Sequence, residues 1–160
     1  MLTLVRIDDR LIHGQVVEGW LPVLKAARVV VVSDDAASDP VQRALMELSL
    51  PAEVALDVLD SIKAPAVLKA AAGSSERVLL LAPGPQEVLA LHEAGVPFDS
   101  VNVGGLHFAA GTVQLGKAIF LDQGDMLCLE ALAARGVRVE GRAVPSEAPM
   151  DVMAAMKARA

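Results

Sequence analysis

Residues 6–16 read RIDDRLIHGQV, and within them Arg10, His13 and Gly14 form a set suited to phosphoryl chemistry. Neutral imidazole is a nucleophile near pH 7, and the phosphoramidate it forms can pass its phosphoryl group onward. Arg10, three residues before His13, offers a planar guanidinium fork that matches a phosphate. A helix starting just after His13 would leave the amides of Gly14, Gln15 and Val16 unpaired at the positive end of its dipole, aimed at an anion. Gly14 would also let the backbone approach closely. Asp8 or Asp9 could hold one ring N–H and free the other nitrogen to attack. Plainer readings stand beside these: His13 as an exposed loop residue, Asp8 and Asp9 as helix caps or partners of Arg6 and Arg10, Gly14 as a turn. The stretch is not a P-loop, because GxxxxGK[ST] is absent, and NVGGLHFAAG (102–111) is not GxGxxG.

The elements that must position this loop alternate along the chain. Strand-like runs are predicted at 2–7, 28–33, 52–59, 77–82, 100–105, 117–122 and 137–144. RVVVVS (28–33) is β-branched throughout, as in a strand buried on both faces. Helical patterns fall at 14–26, where Pro22 shortens or kinks the helix, and at 39–50, with Asp39 as N-cap and Pro40 at the first position. Others fall within 60–72, interrupted near Pro65, and at 85–95, 124–134 and 149–159. Alternation of this kind implies parallel strands with right-handed helical crossovers, hence one three-layer α/β domain over 1–160. In such sheets ligands sit beyond the carboxyl ends of the strands. Four loops meet there: DDRLIHG, SDDAASD, APGP (82–85) and NVGG (102–105), the first most heavily loaded with polar groups.

Bulk properties exclude several classes. The formal charge is −6, with no basic stripe, which argues against nucleic acid or an anionic membrane as the main partner. Cys128 is the only cysteine, so a disulfide or cysteine metal cluster is not expected, and a reducing cytoplasm fits. MLTLVRIDD lacks the basic and apolar regions of a signal peptide, and no apolar run approaches membrane-spanning length. With one Trp, three Phe and no Tyr, the chain has few flat faces for stacking a sugar or base.

RIDDRLIHGQV resembles the active-site signature of the IIB subunits of mannose/fructose/sorbose-type sugar phosphotransferase systems. RVVVVSDDAASD, ERVLLLAPGPQEVLALHEAGV, SVNVGGLHFAAG and LEALAARGVRVEGRAVP resemble further family segments, so essentially the whole chain is covered. The resemblance implies a phosphocarrier that takes a phosphoryl group from a phosphohistidine of a IIA protein or domain onto His13. It then delivers the group to a sugar held by membrane subunits IIC and IID, so the chain would be cytoplasmic and peripheral to those subunits. It implies Nδ1 of His13 as the attacking atom and Arg10 as the phosphoryl stabiliser, with Asp8, Asp9 and Gln15 at matching loop positions. No cofactor or metal is implied beyond the covalent phosphoryl group. The implied fold is a mainly parallel six-stranded sheet in the order 3-2-4-1-5-6 with a seventh strand at the edge. His13 would then be flanked by Pro83 and Gly84 on one side and by Asn102, Gly104 and Gly105 on the other. A relay of this kind need not grip the sugar itself, which accounts for the scarce aromatics.

The chain departs from the family pattern at APGP, in the alanine-rich 60–75, and at His107 after NVGG. His107 is either a further contact at the active edge or a surface residue. His92 is expected to be solvated, Trp20 to anchor the core or an interface, and Cys128 to be a buried small hydrophobe. The apolar faces also allow a homodimer. Two other readings keep the same residues: a regulatory module phosphorylated on His13 without sugar transport, and an α/β small-molecule binder without phosphoryl chemistry.

Overall fold

The computed structural model describes residues 1–159. The first five strands run parallel: β1 (Leu2–Asp8), β2 (Arg28–Val32), β3 (Ala55–Leu59) at one edge, β4 (Val78–Ala82) and β5 (Ser100–Gly105). A hairpin of β6 (Val113–Leu115) and β7 (Ile119–Leu121) follows, then β8 (Arg138–Gly141), parallel to β5, and the antiparallel edge strand β9 (Met150–Asp151). The order is β3-β2-β4-β1-β5-β8-β9. Counted within this sheet alone it is the six-strand order expected, with a seventh strand at the edge.

Alternation builds the layers. Val30, Val32, Leu80 and Ala82 point into one core, and Val29, Val31, Leu79 and Leu81 into the other. Both faces are apolar because both are covered, as buried parallel strands require. The first core lies under α4 (Ala64–Ala72), α5 (Pro85–Glu93), α6 (Gln123–Ala134) and α7 (Val152–Ala158). The second lies under the first helix, α2 (Asp34–Ala37) and α3 (Pro40–Ser49). Asp39 caps α3 through the Val41 and Gln42 amides, and Pro40 opens it.

Several expectations need correction. The helix expected over 14–26 begins as a π-wound segment (Gln15–Trp20) and continues as α1 (Leu21–Leu24), ending at left-handed Lys25 (φ 51°). The wider winding directly precedes Pro22, which has no amide for a normal helical bond. Pro65 does not interrupt a helix; it lies in the first turn of α4. SDDAASD is not simply a loop, because Ser33 caps the short α2. The strand expected over 117–122 is outside the main sheet. It is one arm of the hairpin, whose other arm the sequence reading missed. The helix expected from 149 begins at Val152, after β9.

Candidate functional site

β1 lies between β4 and β5, and its carboxyl end carries the loaded loop. Alternation puts Arg6 and Asp8 on one face of β1, toward the first helix. Both side chains are fully buried. Arg6 Nη2 donates to Asp8 Oδ2 at 3.1 Å and to the Ala143 carbonyl at 3.0 Å. Its Nη1 donates to Asn102 Oδ1 at 2.7 Å and to the Arg142 carbonyl at 2.9 Å. The guanidinium also lies 5.3 Å from the ring centre of Trp20, whose Nε1 donates to Ala143. Burial pushes Arg6 below its ordinary pKa and Asp8 pulls it back up; guanidinium stays charged in proteins.

Gly104 provides the space. A Cβ there would fall inside the Arg6 guanidinium, and one on Gly105 would lie 3.0 Å from Arg10 Nη2. Gly104 is therefore demanded by the buried Arg6 and not by turn geometry alone, whereas at Gly105 the partly exposed Arg10 side chain could shift.

Asp8 is where the site converges. Its carboxylate accepts from Arg6, from the Arg10 amide and Nε at 3.1 Å each, from Arg10 Nη2 at 3.0 Å, and from His13 Nε2 at 2.9 Å. Burial alone would raise its pKa. The hydrogen bonds from His13 and Arg10 outweigh that and hold it far below the usual carboxylate range. An ionised Asp8 requires the hydrogen of His13 on Nε2, which leaves Nδ1 with its lone pair. The Gln15 amide donates to that Nδ1 at 3.3 Å. Arg10 Nη2 also donates to Gln15 Oε1 at 3.0 Å, tying the arginine to the helix start. The His13 side chain is 17% exposed and that of Arg10 34%.

Two apolar anchors set the ring in place. Leu11 and Ile12 are buried in the second core. Leu11 adopts φ 60°, a left-handed conformation that costs a branched residue about 1–2 kcal/mol. Its buried side chain and its amide bond to the Asp8 carbonyl (3.0 Å) hold it there.

The remaining candidates divide. Asp8, not Asp9, orients the ring. Asp9 instead accepts from the His107 amide at 2.8 Å and pairs with His107 Nδ1 at 2.5 Å, joining the loop to the segment after β5. Gly14 is exposed, in ordinary helical conformation, with nothing within 4 Å of an added Cβ. Its own fold does not require glycine. Val16 does not offer an amide to an anion: that N–H is spent on the His13 carbonyl at 3.0 Å, and the residue is fully buried. Asn102 is buried and props Arg6 instead of flanking the histidine. Pro83 lines a cleft on the other side of the loop, with Asp9, Leu11, Asp34, Asp35 and Glu87. Gly84 heads α5, where an added Cβ would meet Gln86 Oε1 at 2.8 Å.

Sequence reading gives Arg6 only as a possible partner of Asp8 or Asp9; the pairing with Asp8 holds, and the structure adds that Arg6 is fully buried beneath the loop. Its signal was a charge sharing a strand face with Asp8 in an otherwise apolar sheet. Trp20 is indeed a core anchor. His92 is not freely solvated; it packs edge-on to Phe98 and accepts from Arg135 Nε at 2.9 Å. Cys128 is only partly buried. Among the described residues, no group of three His, Cys, Asp or Glu is arranged to hold a metal ion.

The comparisons with known proteins agree with one another. The family model described as PTS system sorbose subfamily IIB component matches residues 2–160. The sorbose-specific EIIB component of Lacticaseibacillus casei is 34% identical over 154 residues, covering 96% of this chain and 94% of that protein. The mannose-specific EIIAB component of Escherichia coli K12 is 39% identical over 153 residues, 96% of this chain and 47% of that longer protein. The crystal structure of the IIBSor domain of the Klebsiella pneumoniae sorbose permease superposes with a TM-score of 0.94 at 34% identity, covering 100% of this chain and 98% of that one.

Proposed function

Because the chain belongs to the sorbose subfamily of phosphotransferase-system IIB components, we propose that it is a phosphocarrier whose working atom is Nδ1 of His13. The observation that carries this reading is the pairing of His13 Nε2 with ionised Asp8, which leaves Nδ1 unprotonated, its lone pair accepting only the long bond from the Gln15 amide, which must swing to a phosphoryl oxygen as the group arrives.

The chemistry is an in-line displacement. The Nδ1 lone pair of neutral His13 attacks phosphorus on a phosphohistidine of a IIA protein or domain. A new N–P bond forms as the donor's N–P bond breaks, and the donor nitrogen keeps that electron pair. No proton leaves His13: Nε2 keeps its hydrogen, and the positive charge that develops on the ring faces the Asp8 carboxylate. Arg10, the Gln15 amide and the open Gly14 amide lie where they can receive the phosphoryl oxygens. Little covalent work is asked of the protein, so positioning and charge neutralisation provide most of the effect.

The acceptor in this reading is a sugar held by membrane subunits IIC and IID. No described helix is long and apolar enough to cross a membrane. In this reading the chain meets those subunits from the cytoplasm. Incubation with labelled phosphoenolpyruvate and a phosphorylated donor chain tests the proposal. Acid-labile label on the wild type that disappears in His13→Ala is the expected result. A wild type that takes up none would overturn it.

A further inference from the structure

A second charged wall stands beside the His13 loop. The hairpin turn between β6 and β7 is made by Gly116 (φ 65°) and carries Lys117. The hairpin is tied to the end of β5: the Leu106 amide donates to Ala118 and the Phe120 amide donates to Leu106, both at 2.9 Å. The active loop holds the same place, because the Asp9 amide donates to the Gly105 carbonyl at 3.1 Å. Hairpin and loop thus flank one strand end and enclose a cleft of about 200 Å³. Arg10, Gln15, His107 and Lys117 line it. Gln15 connects the cleft to the reacting atom, since its amide meets Nδ1 and its side chain lines the cleft with Arg10.

Charge counting shows what this wall could add. Asp8 is already matched by Arg6 and Arg10, and Asp9 is engaged with His107. A phosphoryl group brings close to two negative charges, and Arg10 is shared with Asp8 and Gln15. Lys117 is exposed, and among the described ion pairs and side-chain hydrogen bonds it has no partner. Its ammonium is a compact charge on a flexible stem, able to reach an anion as it arrives.

We propose that this cleft is an anion subsite for the phosphoryl group carried on His13, and that Lys117 is a further catalytic residue whose ammonium contacts the phosphoryl oxygens. The inference rests on the reading of His13 as the carrier. Lys117 makes and breaks no covalent bond. It supplies charge from the hairpin side of the cleft.

Phosphorylation of the whole chain by phosphoramidate, followed by phosphorus NMR, separates the two claims, because this small donor needs no docking surface. Wild type, Lys117→Gln and Lys117→Arg are compared for capture rate and for the pH midpoint of the phosphohistidine phosphoryl resonance. Lys117→Gln is expected to slow capture about tenfold and to raise the midpoint by roughly half a pH unit, since the dianion loses a nearby cation. Lys117→Arg restores both. A resonance whose midpoint and capture rate do not change in Lys117→Gln would overturn the role of Lys117 and leave the carrier reading intact. The absence of a phosphohistidine resonance in the wild type would overturn the carrier reading, and this inference with it.

Discussion

Gly104 lies flat against the guanidinium of Arg6, in the space a side chain would need. The contact joins β5 to β1 directly beneath the reactive loop. In Gly104→Ala the new methyl must displace a fully buried arginine that holds Asp8, Asn102 and two carbonyls. Overpacking together with a broken buried ion pair should cost about 3 kcal/mol, read by urea denaturation. A loss under about 0.5 kcal/mol would show that Arg6 has room to move.

Asp8 should set the acid limit of the fold. Its native pKa lies below the ordinary value, so the folded state binds fewer protons there than the unfolded chain. The stability it contributes is fully present above the ordinary carboxylate value near 4 and is lost as pH falls toward its depressed native value. Asp8→Asn should cost about 3 kcal/mol at pH 7, because it leaves buried Arg6 without its counter-charge. The difference between variant and wild type should shrink in acid. Denaturation curves at pH 7 and pH 3 that show an equal gap would contradict this.

Arg10→Ala should keep the fold and slow transfer. The side chain is partly exposed and Asp8 retains Arg6 and His13. Removing one charged donor from a phosphoryl site should reduce the transfer rate by about 10²-fold. Normal transfer by a folded variant, measured with a phosphorylated donor, would remove Arg10 from the mechanism.

Gly14 separates folding from docking. Its conformation suits any residue, so Gly14→Ala should leave stability unchanged or raise it by about 0.5 kcal/mol. The added methyl would stand in the open beside His13. Transfer from a protein donor should fall, and phosphorylation by phosphoramidate should not. Equal rates from the protein donor would show that no partner approaches this point.

Glu87 predicts the opposite pH trend from Asp8. Burial raises its pKa, and its Oε2 has no hydrogen-bond partner. The folded state therefore holds the proton more tightly, and the stability associated with it falls as pH rises from the ordinary value toward the raised one. Glu87→Gln should gain a few tenths of a kcal/mol over wild type at pH 8 and lose that advantage at pH 4. Thermal melts at the two pH values would detect the crossover, and its absence would mean solvent already relieves the charge.

The sheet was largely legible because β2 and β4 are continuous apolar runs that fit only strands covered on both sides. The reactive loop was legible from its residue types. The hairpin arm Val113–Leu115 was not, because three residues carry no usable period. The sequence shows Arg6 only as a possible partner of Asp8 or Asp9; its burial is not legible because Trp20, Asn102, Gly104 and Arg142 are distant in sequence and meet it only in the fold. The sequence suggests a free amide at Val16 because residue type cannot show which carbonyl its N–H will find. The choice between Asp8 and Asp9 depended on strand pleat, which turns Asp8 inward under the ring and leaves Asp9 for His107.

Leu11 and Ile12 have a consequence for traffic. With both anchors sunk in the core, the imidazole stands at a fixed address and has no tether on which to travel between clients. For the carrier proposed above, delivery of cargo would then depend on one body leaving the platform before another takes its place. Turnover would be governed by how quickly visitors part from this surface, and mutations deep beneath the loop would change throughput by tilting the platform itself.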